Sequence, residues 1–293
     1  MQSACLSNLR GTETQPFRGH FAPYWVGVLI EPERNKYTMR IRLRLIPTTY
    51  PASVTTDQHH LAAFLYEHIA VTEPALARWL HDEGLPTPGR ADKRYKPLVF
   101  ATPECPRYRF VGTDKVFAAG AVFWQIAAPR AEVVEALRAG LALRETVRLG
   151  RTEFRVAEIA EVPAPVFTRE MRFIALSPLT AALNHAVHGK VYLREEAALA
   201  QAIIANLRWK YLVLNGGEAA EPDVEFNFDQ DYVQRCGGLQ SRQITRLLSY
   251  GATKIKAYAA PFRVRGNPEL LRIGWECGFG EANAQGFGMA GLG

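Results

Sequence analysis

His81 closes the segment PALARWLHDEG, Tyr66 stands fifteen residues before it, and Lys93, Arg94 and Lys96 follow in a basic run. An imidazole titrates near neutrality and can take or give a proton, a phenol can donate one, and a cation can hold developing negative charge. These types together suit proton transfer beside an anionic centre. Each also has a plainer reading. His81 fits a histidine capping the negative end of a helix dipole. Tyr66 fits a boundary aromatic with a wet hydroxyl, and the basic run fits a solvated loop. The dipeptide His81–Asp82 also occurs in metal-dependent phosphohydrolases. Those sites need further His and Asp ligands at set spacings, which the sequence does not supply, so no metal and no cofactor are expected.

The remaining histidines are weaker candidates. His59, His60 and His68 belong to the first helical segment, and His185 and His188 lie three apart in a hairpin, where they do not share a face. Basic pairs recur later: Arg242 and Arg246, Lys254 and Lys256, Arg263 and Arg265. An i, i+2 pair on a strand puts both charges on one side, suited to a phosphate track. TKIKAYAAPFRVRG contains no acid to neutralise it. Near the end the chain reads GFGEANAQGFG, two Gly-Phe-Gly copies five residues apart. The third position of a dinucleotide fingerprint would be Asn283, and the Lys and hydroxyl residue of a P-loop are missing, so neither nucleotide motif fits. Gly278, Gly280, Gly286 and Gly288 are expected to let a phosphate backbone lie against main-chain N–H groups.

The elements that must carry these residues follow from hydrophobic spacing. MRIRLRLIP (39–47) alternates apolar residues with Arg40, Arg42 and Arg44, predicting a strand with one cationic face. Leu61, Phe64, Leu65 and Ile69 recur at helical spacing. A second helix is expected from Thr72 as N-cap, with Pro74 in its first turn and Gly84 as its stop. The segment Pro86–Tyr95 reads as a loop, leading to strands around KPLVFA and FAAGAVFWQIA, a helix over RAEVVEALRAGLALRE and a closing hairpin. After PAP (163–165) the same β-α-β-β-α-β order recurs: MRFIALSP, a hairpin TAALNHAVHGKVYL, a helix over EEAALAQAIIANLRWKYL, strand segments at VEFNF, ITRLLSY and KIKAYAAPFRVRG, a helix capped by Asn267 and Pro268, and FGMAGL. The expected fold class is α+β, two tandem ferredoxin-like units (39–162 and 166–293) facing a central cleft. Residues 1–38 form an unassigned N-terminal extension.

Composition agrees with this organisation. The 293 residues are 48% hydrophobic, enough for two cores, and 35 Lys+Arg against 29 Asp+Glu give a pI near 9.2. The basic excess raises the case for a polyanionic partner. The four cysteines (Cys5, Cys105, Cys236, Cys277) form no C-x-x-C pair, which argues against a zinc knuckle and for thiols in a reducing compartment. No apolar run approaches a membrane span, and MQSACLSNLRG has no signal-peptide pattern, so a cytoplasmic location without a membrane partner is expected.

MRIRLRL, LYEHI…PALARWLHDEG, LSP (176–178) and the closing GFGEANAQGFG together resemble the metal-independent CRISPR repeat-processing endoribonucleases of the repeat-associated mysterious protein (RAMP) superfamily. The resemblance covers nearly all of 39–292, and the glycine-rich loop is its most specific motif. It implies cleavage of CRISPR precursor RNA within each repeat. It also implies a Tyr-His-Lys site falling on Tyr66, His81 and Lys96, with Lys93 as the alternative lysine. The implied partner is repeat RNA. An interference complex, a fused or neighbouring adaptation protein and a second copy of the chain are further candidates. Two rival readings are weighed against it. A non-catalytic RNA-binding subunit of the same superfamily would lack the histidine. An ordinary single-strand RNA binder would show an aromatic RNP strand, and none is visible.

Overall fold

The computed structural model describes residues 39–293 except 89, 186, 188 and 252, together with the backbone but not the side chains of 90–93 and 185. The extension 1–38, the side chains of Lys93 and His185, and His188 therefore lie outside the described residues.

Alternation in the first strand, Arg40–Pro47, sends Ile41, Leu43 and Leu45 to one face. That strand is central in a five-stranded antiparallel sheet of order 99–100, 122–127, 40–47, 152–161, 146–149. Leu43 sits opposite Trp124 on one side and Ile159 on the other, with a register shift after Arg44. Helices α1 (Gln58–Thr72) and α3 (Ala131–Ala142) cover the apolar face; α2 (Pro74–Arg78) lies between them in sequence. Leu61, Leu65 and Ile69 meet Val133, Leu137 and Leu141 in one core with the strand residues. Sheet and helices together form an α+β layer pair. A three-stranded sheet (52–55, 114–117, 109–111) is inserted into it, and of the run expected as the strand FAAGAVFWQIA only 122–127 belongs to the five-stranded sheet, while Phe117 ends a strand of the inserted one.

The second half also sets helices against an antiparallel sheet, here of four strands. Its sheet has order 224–228, 262–266, 170–175, 290–292. It is covered by α4 (Glu196–Asn215) and, after a short α5 (Gln230–Arg235), by α6 (Pro268–Cys277). Phe173, Phe226, Phe262 and Phe279 pack ring against ring at centroid distances of 4.9 to 5.5 Å in its core, two pairs stacked, one tilted and one edge-on. Asn267 caps α6 by accepting from the Glu269 N–H, with Pro268 in the first turn, as its sequence predicts. The run KIKAYAAPFRVRG is two strands. Residues 253–258 pair with 245–250 in a separate hairpin, and only 262–266 enters the sheet.

Arg40 joins the two halves and corrects the expected cationic face. Its guanidinium is 1% exposed, lies 3.5 Å over the Trp275 ring, and donates to the carbonyls of Ala290 (2.8 Å) and Trp275 (2.6 Å). Burial lowers its pKa, against the upward pull of Glu276. Only Arg42 and Arg44 face solvent. The alternation predicts which side of the strand Arg40 occupies, but not that the second half covers it.

Gly140 sets the approach of α3 to α1, because a Cβ there would lie 1.8 Å from the His68 carbonyl oxygen. Gly140→Ala must push the helices apart, and denaturant unfolding should show a loss of about 1–3 kcal/mol.

Candidate active site

Helix α1 presents Tyr66 at the margin of its buried stripe. The helix starts where the Asp57 side chain accepts from the N–H groups of His59 and His60. Tyr66 is half-buried against the first core. Its hydroxyl is pushed well above the usual range, first by burial and then by the Tyr250 phenol, so it is held as a neutral donor.

The expected single helix from Thr72 to Gly84 is broken. Thr72 ends α1, Glu73 begins α2 without a side-chain cap, and residues Trp79–Glu83 form a π turn. Leu80, fully buried, anchors that turn and leaves His81 at the surface. The imidazole ring packs edge-on to Tyr66, centroids 5.2 Å apart at 85°. Gly84 ends the turn with φ 65°, and a Cβ there would lie 2.5 Å from the Tyr95 carbonyl oxygen. This close approach brings in the segment expected as a loop, which is a hairpin of 85–87 with 90–95. Lys96 directly follows the hairpin, and its ammonium donates to the main-chain oxygen of His81. Burial lowers the pKa of Lys96, and Asp82 raises it.

Tyr66, His81, Arg94 and Lys96 line a cavity of about 270 Å³. The second half closes it with Tyr250, Lys190 and residues 281–285 of the glycine-rich segment. Lys190 and Glu281 form an ion pair of 2.9 Å at this wall. A larger cavity of about 480 Å³ lies on the second sheet and includes Arg172 and Arg263. It has no histidine, and a third cavity of about 410 Å³ has His60 and His68 but neither a tyrosine nor a lysine, so the combination of phenol, imidazole and ammonium occurs in the first. Sequence patterns missed Tyr250 and Lys190, which reach the cavity only through tertiary packing. In the sequence Asp82 stands out only as a metal-ligand type beside His81. It hydrogen-bonds to His81, Nδ1 to Oδ1 2.6 Å. No cluster of three His, Cys, Asp or Glu side chains suited to a metal occurs among the described residues.

The four glycines depart from the expected phosphate contact. All are buried at positive φ, and the space a Cβ would take belongs to the protein itself. At Gly278 the Asn283 amide fills it, at Gly280 the Thr180 carbonyl, at Gly286 Gln58 and Phe100, and at Gly288 the Phe279 carbonyl followed by the Asn283 amide. The N–H groups of Gly278, Gly286 and Gly288 bond to Gly274, Asn283 and Pro178 carbonyls. Buried Lys210 of α4 donates to the carbonyls of Gly278 (2.6 Å) and Gly280 (2.9 Å). The glycines therefore shape the loop, and the intervening residues 281–285 reach the cavity.

The remaining basic candidates stand outside it. Lys254 bonds Ser249, and Lys256 bonds Gln240. Arg263 pairs with Glu170 at 3.1 Å, and Arg265 sits opposite Glu170 and Glu225. Sheet pairing thus supplies the acids that the local sequence lacks.

Residues 54–160 match the family model described as CRISPR-associated protein Cas6, N-terminal, and residues 162–292 match CRISPR associated protein Cas6, C-terminal. The "CRISPR-associated endoribonuclease Cas6 1" of Methanocaldococcus jannaschii is 26% identical over 255 residues, covering 86% of this chain and 92% of its own. The Cas6 endoribonuclease of Pyrococcus furiosus is 28% identical over 261 residues, covering 86% and 89%. Among solved structures, a RAMP protein binding different RNA substrates superposes with a TM-score of 0.70 at 17% identity, and a CRISPR associated protein Cas6 with 0.68 at 23%. Each of these alignments covers 87% of this chain and 99% of the other. The α+β fold is shared with both, and the protein is a CRISPR-associated endoribonuclease. The chain belongs to the Cas6 family. Among the described residues no helix is long and apolar enough to cross a membrane.

Gly286→Ala should lower stability by about 1–3 kcal/mol in denaturant unfolding, because it adds overlap with Gln58 and Phe100 to left-handed strain. Gly112→Ala is the control. Its φ is 62° with nothing within 4 Å, so it should lose only the smaller strain component.

Proposed function

We propose that this chain cleaves CRISPR precursor RNA within each repeat by metal-independent attack of a 2′-hydroxyl on the adjacent phosphate. The supporting observation is that Tyr66, His81 and Lys96 line one cavity, closed by a loop from the other half of the chain. On this reading residues 39–162 and 166–293 are ferredoxin-like units that hold RNA across the cleft between them, with 39–162 carrying the chemistry.

His81 accepts the proton of the 2′-hydroxyl as its oxygen bonds to phosphorus. The bond from phosphorus to the 5′-oxygen breaks, leaving a 2′,3′-cyclic phosphate. Tyr66, held neutral by burial and Tyr250, protonates the departing 5′-oxygen, which is more basic than a phenolate. The imidazolium beside it, 5.2 Å between centroids, then returns a proton to the phenol. The Lys96 ammonium moves from the His81 carbonyl to the phosphate and offsets the charge of the pentacoordinate centre. Arg94, Lys93 and residues 281–285 contact RNA next to the reacting phosphate, while Lys254, Lys256, Arg263 and Arg265 act further along the strand. DNA offers the same phosphates without the nucleophile.

Cleavage of the cognate repeat RNA should persist in EDTA; activity abolished by the chelator contradicts the metal-free reaction. His81→Ala should bind the RNA and cut it roughly a hundredfold or more slowly. Tyr66→Phe should also slow cutting while leaving affinity in place, and gel-resolved single-turnover rates check both. A His81→Ala protein that cuts at the wild-type rate would exclude this site.

A further inference from the structure

The acid beside His81 takes no part in the proton transfers proposed for the cavity, yet it makes the one ion-pair contact of the imidazole among the described residues. Asp82 Oδ1 lies 2.6 Å from His81 Nδ1. We propose that Asp82 is a positioning residue: its carboxylate accepts the Nδ1–H of His81, fixing the tautomer in which Nε2 carries the lone pair that takes the 2′-proton. This deepens the proposed function and rests on His81 being the base.

Before RNA binds, three contacts hold the histidine. Tyr66 of α1 packs its ring edge-on to the imidazole, Lys96 grips the His81 main-chain oxygen, and Asp82 holds one ring nitrogen. A neutral imidazole has one N–H and one lone pair, and the partner of one nitrogen decides which is which. A carboxylate only accepts, so Nδ1 must be the protonated nitrogen whenever the contact is made. Asp82 stays ionised for this role. The hydrogen bond from His81 holds its pKa below the usual range, and the nearby cations Lys96 and Arg78 act in the same direction. Asp82 is also available for it, because it belongs to no metal-binding cluster among the described residues. When His81 becomes an imidazolium, the same carboxylate stabilises the new charge without itself taking the proton.

The test uses the full chain and its repeat RNA. Asp82→Asn should lower the single-turnover rate by about tenfold to a hundredfold, with RNA affinity unchanged, and Asp82→Glu should recover part of the loss. Nitrogen-15 NMR of the imidazole should report the Nδ1–H tautomer in the wild type and a mixture, or the other tautomer, in Asp82→Asn. In a His81→Ala background, Asp82→Asn should add nothing. A wild-type rate and an unchanged tautomer in Asp82→Asn, with His81→Ala inactive, would overturn the role of Asp82 alone. Full cleavage by His81→Ala would overturn the base assignment and this role with it.

Discussion

The close approach at Gly286 is the constraint on which the site depends. The loop leaving α6 must lie against Gln58 at the start of α1 and Phe100 at the edge of the first sheet, and no side chain fits between them. Buried Lys210 binds the loop carbonyls from the other side, and the Asn283 side chain donates to Phe287 O (2.9 Å) across its neck. Phe279 packs into the second core and Met289 into the first, so the loop is stitched into both. With its ends fixed this way, residues 281–285 project into the cavity that Tyr66 and His81 line. The Arg40 contacts to Ala290 and Trp275 hold the same region from the first strand. Cavity geometry is therefore a property of the joint between the two halves, and neither half carries it alone.

The cavity's electrostatics divide the groups proposed to react by environment. Burial and a second phenol keep Tyr66 protonated, which suits a donor and excludes a resting phenolate. His81 is exposed beside an ionised carboxylate, which suits a group that gains and loses charge. Lys96 is partly withdrawn from water while it holds the His81 carbonyl. The one acid on the opposite wall, Glu281, is paired with Lys190, which limits its repulsion of a phosphate.

The sequence carried the element order well because each helix and strand has a local signature. The Asn267–Pro268 cap and the Gly84 stop mark ends through backbone chemistry that needs no tertiary partner. The helical position of Tyr66 relative to its apolar stripe is legible for the same reason. What remained hidden depends on contacts between distant segments. Arg40 alternates correctly with Ile41 but is covered by a helix some 235 residues away in sequence. The glycines at 278–288 were legible as positions needing positive φ, yet what fills their missing side chains is protein, which no local pattern reveals. Arg263 and Arg265 look unopposed along their own strand, and their acids come from neighbouring strands. Tyr250 and Lys190 had no signal in spacing at all.

The central claim is that the RNA's own 2′-hydroxyl is the nucleophile in the cavity of Tyr66, His81 and Lys96. The most direct measurement places a single 2′-deoxy nucleotide on the 5′ side of the scissile phosphate and follows cleavage of that RNA by the wild-type protein. The account predicts that binding is retained and cutting at that bond is abolished, while the all-ribose RNA yields a 2′,3′-cyclic phosphate and a 5′-hydroxyl. Continued cutting of the 2′-deoxy substrate at the same bond would contradict it.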